Sequence, residues 1–272
     1  MNFHITLKRG FLIYILGCLF FYSGNLRSQS PYKLNPSKEV IWLSSGISVL
    51  ASGYLVGRTT TPFTSDEILV LDRQNINSFD RFASKNYSTK FQNASDIFLL
   101  SSFGSGVPFL FKKQIRKDFF TLGIIYFEAA TITTGTTLLT KALTKRSRPF
   151  VFNGEVGIEE KISRGAKYSF FSGHTSIAAM NTFFLAKIFS DYSPNSKWKP
   201  YVWTGAILIP AATGWGRVEG GKHFPTDVLA GYTVGALVGY FVPHFHKVRN
   251  QKETNIHIEP NPFGVSFFLD LK

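Results

Sequence analysis

Apolar residues in this chain collect in six segments, 40–56, 97–111, 119–143, 175–189, 201–213 and 228–245, with polar and basic stretches between them. Six helices is the simplest reading of that pattern. Gly46, Gly53, Gly104, Gly106, Gly135, Gly205, Gly231, Gly235 and Gly239 fall within these segments, where small residues let helices approach closely, a packing device of membrane bundles. The third segment carries Glu128 and a run of threonines; both are costly against lipid, so that face is expected to meet other helices. Several segments are shorter than the roughly 20 residues a span needs, so a soluble helical bundle stays open beside a membrane-embedded one.

Outside the six segments the pattern changes. Between Thr59 and Asp96, Ile68, Leu69, Leu71, Ile76, Phe79 and Phe82 recur among charges, which predicts short amphipathic surface helices, the first capped by Thr64 or Ser65. At the start, Lys8 and Arg9 precede an apolar run from Phe11 to Tyr22 and a small residue, Ser28. That reads as a signal peptide, with an uncleaved signal anchor as the alternative. The organisation expected is a signal peptide or anchor over 1–28, a linker over 29–39 carrying Pro31 and Pro36, a helical domain over 40–247 and a polar tail over 248–272. Within the tail, Gly264 to Leu271 is a possible terminal strand.

Composition narrows the class of partner. A chain of 272 residues suits one domain with appendages. The 30 Lys and Arg against 17 Asp and Glu give a formal charge of +13, which favours anionic partners. The basic residues flank apolar segments instead of forming one long run, so membrane or phosphate is the better reading and nucleic acid is not expected. Cys18 is the single cysteine and excludes an intrachain disulfide.

The chemistry sits at the junctions of the segments. Lys141 is followed seven residues later by Arg148-Pro149; Ser172-Gly173-His174 opens the fourth segment; Arg217 is followed six residues later by His223 and four after that by Asp227. Phosphoryl transfer asks mainly for a nucleophile, an acid and positive charge around the equatorial oxygens. Lys141, Arg148 and Arg217 supply three cations, two of them guanidinium forks suited to phosphate. Ser172 and Gly173 stand where a helix should begin, so a hydroxyl and free backbone N–H groups can hold an anion.

The three blocks, in order and in spacing, resemble the signature motifs of the type 2 phosphatidic acid phosphatase (PAP2) superfamily, which also includes bacterial acid phosphatases and vanadium haloperoxidases. The resemblance implies an all-α, six-helix bundle and a metal-independent phosphatase. In that reading His223 is the nucleophile, and Asp227 orients it from one helical turn away. His174 protonates the leaving group and then activates water against the phosphohistidine. Lys141, Arg148, Ser172, Gly173 and Arg217 bind the phosphate. Phe171 departs from the family pattern where Pro commonly stands, and Gly216 where Ser does.

No cofactor is expected: the sequence has no Asp or Glu cluster suited to Mg²⁺ and no close His or Cys set suited to zinc. Lys145 and Arg146 read as extra charge near the mouth of the site, His244 and His246 as interfacial or dipole partners, and Glu128 as a pair within the bundle. The expected substrate is a phosphorylated membrane lipid or another phosphate ester or diphosphate. The rivals are a vanadium-dependent haloperoxidase and a catalytically silent envelope protein that binds anionic lipid.

Topology pulls two ways. If all six helices cross, the motif-bearing ends share one side, and the basic 112–117 loop and 247–252 tail share the other, which is then cytoplasmic. A cleaved signal peptide would reverse that bundle. The expectation is a membrane-embedded bundle with its site facing the periplasm; a soluble periplasmic bundle is the alternative.

Overall fold

The structure, a computed structural model, describes residues 30–248 and the backbone of 255–261 and 264–270. The expected signal segment lies outside the described residues. Six long helices dominate: α1 (Pro36–Arg58), α2 (Thr89–Gly104), α3 (Phe119–Thr144), α4 (Gly173–Tyr192), α5 (Lys199–Glu219) and α6 (Pro225–His246). The all-α reading holds, and α3 to α6 fall within six residues of their expected ends.

Expected boundaries move at the first two helices, and α2 ends at Gly104, short of the expected 111. The linker gives way to helix at Pro36, because Asn35 accepts from Ser37 N and Pro36 takes the first helical position. The second helix begins at Thr89, eight residues before the apolar run. Its polar first turns face protein: Gln92 Nε2 donates to Gly220 O at 2.8 Å, and Ser95 is fully buried. The surface stretch does hold a short helix, Ser65–Leu69, with a capping box in which Glu67 N donates to Thr64 Oγ1 and Thr64 N to Glu67 Oε2.

The bundle is built on close backbone approach. Gly231, Gly235 and Gly239 line the side of α6 that meets α4. A Cβ added to them would lie 2.5, 2.0 and 2.4 Å from the carbonyl oxygens of Ser172, Ser176 and Met180. Between α1 and α3, Gly53 and Gly135 play the same part against Leu139 N and Leu50 N, at 2.6 and 2.7 Å. Gly104 and Gly205 do not: nothing lies within 4 Å of their added Cβ.

On α1 and α3 much of the exposed surface is apolar and several polar groups are buried. The buried residues of α1 are Glu39, Gly46 and Gly53, while Val40, Ile41, Ile47 and Leu55 face outward. On α3, Glu128, Thr131, Thr133 and Thr137 are buried, while Phe119, Phe120 and Phe127 are exposed. Polar inside and apolar outside is the arrangement lipid favours. Helix α1, the Thr89–Phe111 stretch, α3 and α6 are long and apolar enough to cross a membrane. The tail contains two strands where one was expected, β1 (Asn255–Asn261) and β2 (Gly264–Asp270), paired antiparallel.

Candidate active site

All three sequence blocks meet at one end of the bundle. Lys141 lies in the last turn of α3, and its Nζ donates to Tyr168 O at 2.7 Å and Ser169 O at 3.3 Å, just ahead of the second block. Lys145, in a left-handed conformation with φ 46°, ends α3 and turns the chain. Arg148 N then donates to Ala166 O at 2.8 Å, and Phe150 N to Gly221 O at 3.0 Å, which ties the first block to the loop before α6. Ser172 N donates to Asp227 O at 2.9 Å and joins the second block to the third.

Ser172 caps α4, its Oγ accepting from Thr175 N at 3.4 Å, and Gly173 is the first residue of that helix. A Cβ on Gly173 would lie 3.3 Å from the Thr137 side chain. His174 is partly exposed at the mouth, with Nε2 3.0 Å from Asp96 Oδ1; the same oxygen is 3.5 Å from Arg217 Nη1. Asp96, from α2, escaped the sequence reading because it stands alone in a polar stretch.

His223 is brought in by a reversal after α5. Gly221 has φ +69°, a conformation that costs other residues energy, and Lys222 N and His223 N both donate back to Arg217 O, at 3.0 and 3.2 Å. His223 therefore precedes α6 and does not share a helical face with Asp227, contrary to what the four-residue spacing implied. Asp227 Oδ2 is 3.6 Å from His223 Nδ1, longer than a hydrogen bond, and Nδ1 has no partner.

The Asp227 carboxylate is held elsewhere. Oδ2 accepts from Ser169 Oγ at 2.5 Å and Phe224 N at 2.8 Å, and Oδ1 from Arg146 Nη1 at 2.5 Å. Arg146 also reaches the fully buried Asp80 at 2.7 Å, so it bridges two carboxylates and is not loose charge at the mouth. Asp80 in turn accepts from Thr226 N and Asn77 Nδ2. An Arg two residues before the motif arginine is the only sequence signal of this bridge; Asp80, sixty-six positions away, gives none.

The site is cationic and underpaired. His223 is buried, and burial together with Lys141, Arg148, Arg217 and His174 holds its pKa well below the ordinary histidine value, so the imidazole is neutral. The Nε atoms of Arg148 and Arg217 are buried without a hydrogen-bond partner. Gly216 has a structural reason: a Cβ there would lie 2.9 Å from Ser95 Cβ and 3.0 Å from Phe91 O, so glycine lets α2 press against Arg217 and offer it the Ser95 hydroxyl at 3.4 Å.

A buried neutral imidazole, a second histidine at the mouth and three converging cations form an arrangement that can hold an anion and could support phosphoryl transfer. A sequence model of the PAP2 superfamily matches residues 122–251, just under half of the chain and the stretch that holds all three blocks. The chain is 38% identical over 79 residues to the lipid A 4'-phosphatase of Porphyromonas gingivalis, which is 29% of this chain; it spans only 30% of that relative's length. The crystal structure of a transmembrane PAP2-type phosphatidylglycerolphosphate phosphatase from Bacillus subtilis aligns with a TM-score of 0.39 at 21% identity, over 76% of this chain and 95% of that one.

Proposed function

We propose that the protein is a metal-independent lipid phosphate phosphatase working through a phosphohistidine on His223. The observation that carries this reading is the set of buried, partnerless donors, Arg148 Nε and Arg217 Nε, beside a neutral buried imidazole. Leaving such donors unpaired is costly, and a phosphoryl group with oxygens on all sides fits them.

In the proposed reaction Arg148, Arg217 and Lys141 hold the non-bridging oxygens, with Ser172 and the N-terminus of α4 beside them. His223 Nε2 attacks phosphorus as the ester P–O bond breaks. His174 gives the leaving alkoxide its proton, then takes one from water as that water attacks phosphorus and the P–N bond breaks, releasing phosphate and free His223. Asp227 Oδ2 lies 3.6 Å from His223 Nδ1, and catalytic hydrogen bonds often shorten only when substrate is bound. Asp96 would hold His174 in place until an anion draws Arg217 away from it.

The outward apolar faces and the relatives' names favour a phosphorylated membrane lipid, with lipid A phosphates and phosphatidylglycerol phosphate the first to try. A membrane-embedded bundle with the site facing the periplasm agrees with the basic 112–117 loop at the other end. The test is phosphate release by purified protein from a panel of lipid phosphates with EDTA present. Release that disappears in His223→Gln is expected; no release from any of them overturns the reading, and vanadate-dependent bromide oxidation would replace it with the haloperoxidase.

A further inference from the structure

Two acids and a histidine meet at the other end of the bundle. Glu39 comes from the first turn of α1, Glu128 from α3 and His246 from the end of α6, and all three are buried. One ligand-capable atom from each lies within 4.8 Å of the other two. At 1.5 Å per residue, Glu128 is about 20 Å along α3 from Lys141, and His246 about 28 Å along α6 from Asp227. The cluster is therefore separate from the phosphate site.

Each group is aimed from outside the cluster. His246 Nδ1 lies 2.7 Å from Val242 O; a carbonyl only accepts, so Nδ1 carries a proton and Nε2 turns inward. Glu39 Oε1 accepts from Asn35 N at 2.8 Å, which leaves Oε2 facing Nε2 at 2.9 Å. Glu128 Oε2 stands 3.1 Å from the same nitrogen, yet neither oxygen of this fully buried carboxylate has a hydrogen-bond donor.

One nitrogen offers at most one proton to two carboxylates. The second stays unpaired in the interior, which is costly. A divalent cation at the centre would bind both oxygens and the nitrogen lone pair and balance the two negative charges. A tetrahedral ion with bonds near 2.0 Å sets its ligands roughly 3.3 Å apart, close to the 2.9 and 3.1 Å from His246 Nε2 to the two carboxylates.

We propose that Glu39, Glu128 and His246 form a structural site for a divalent transition metal, zinc being the best match to one imidazole and two carboxylates, which ties α1, α3 and α6 together. Mg²⁺ and Ca²⁺ prefer oxygen-only sets and fit less well. The sequence showed no close set of ligands because His246 and Glu39 are 207 positions apart.

The experiment uses the full chain in detergent, purified without a metal-affinity tag. Wild-type protein grown with zinc is expected to hold about one zinc per chain by elemental analysis, and Glu128→Gln and His246→Gln to lose about tenfold or more of it. A chelator should lower the melting temperature of wild type and leave that of Glu128→Gln unchanged, while phosphate release measured below the melting transition stays the same. Should the variants fail to fold, cobalt-loaded wild type still decides: a visible absorption band of tetrahedral Co²⁺, removed by competing zinc, is expected. Wild type that takes up no zinc or cobalt and melts alike with and without chelator overturns the proposal, and so does metal retained by both variants.

Discussion

The two ends of the bundle bury opposite imbalances of charge. At the motif end, Lys141, Arg148 and Arg217 converge with guanidinium donors left over, and the one deeply buried acid pair, Asp80 and Asp227, is already held by Arg146. At the other end, Glu39 and Glu128 face a single His246, and the leftover groups are acceptors. Burial raises the cost of either imbalance, so each end suits an ion of the opposite sign, as proposed above. The motif end opens past the partly exposed His174 and Asp96, which suits a ligand that comes and goes. The acid end is closed on all three residues, which suits an ion that stays.

Substitutions can break this contrast in a graded way. The largest expected effect is at the proposed nucleophile: His223→Gln should lower phosphate release by about 10⁴-fold or more and abolish the acid-quenched phosphoenzyme. Labelling that persists would show that another group is phosphorylated. Next, Arg217→Ala should cost roughly 10²–10³-fold in kcat/KM. Arg148→Lys, which keeps the charge but loses the fork, should be milder in initial-rate assays.

Arg146→Ala tests whether the motif end needs its internal ion bridge. It leaves Asp80 and Asp227 buried without their cation and should destabilise the protein by about 3 kcal/mol, read as a fall in melting temperature in detergent. Adding Asp80→Asn should recover part of that loss if the two residues act as one unit.

The smallest expected effect is on pH. His223 has a depressed pKa, so its unprotonated, nucleophilic form survives as pH falls below the ordinary histidine value of about 6.5. The acid limb of kcat/KM due to the nucleophile should lie below that value. Lys141→Met removes one of the cations that depress it and should move the limb upward, toward neutral pH. A limb that stays in place would assign it to another group.

Much of this was legible in the chain. The apolar runs marked the six helices because a helix packed into such a bundle carries a long apolar stretch, and the third to sixth began and ended near where those runs did. The three blocks were legible because each is a short local spacing. The start of α2 was not: Lys90, Gln92, Asn93 and Asp96 read as surface, and only the packing of α2 against Arg217 and Gly220 makes that stretch part of the helix that borders the site. Asp96 and Asp80 were missed for the same reason, since a lone acid carries no spacing.

The sequence by itself determined the helical class, the three motif blocks and the residues expected to meet phosphate, because those depend on periodicity and on neighbours a few positions apart. Tertiary structure alone decided what holds them: that Gly221 turns His223 back onto Arg217 ahead of α6, and that Asp227 answers first to Arg146, Ser169 and Phe224. It also set Glu39 and Glu128 against His246. Those contacts join residues tens to hundreds of positions apart, and pairing of that kind is fixed by how helices pack.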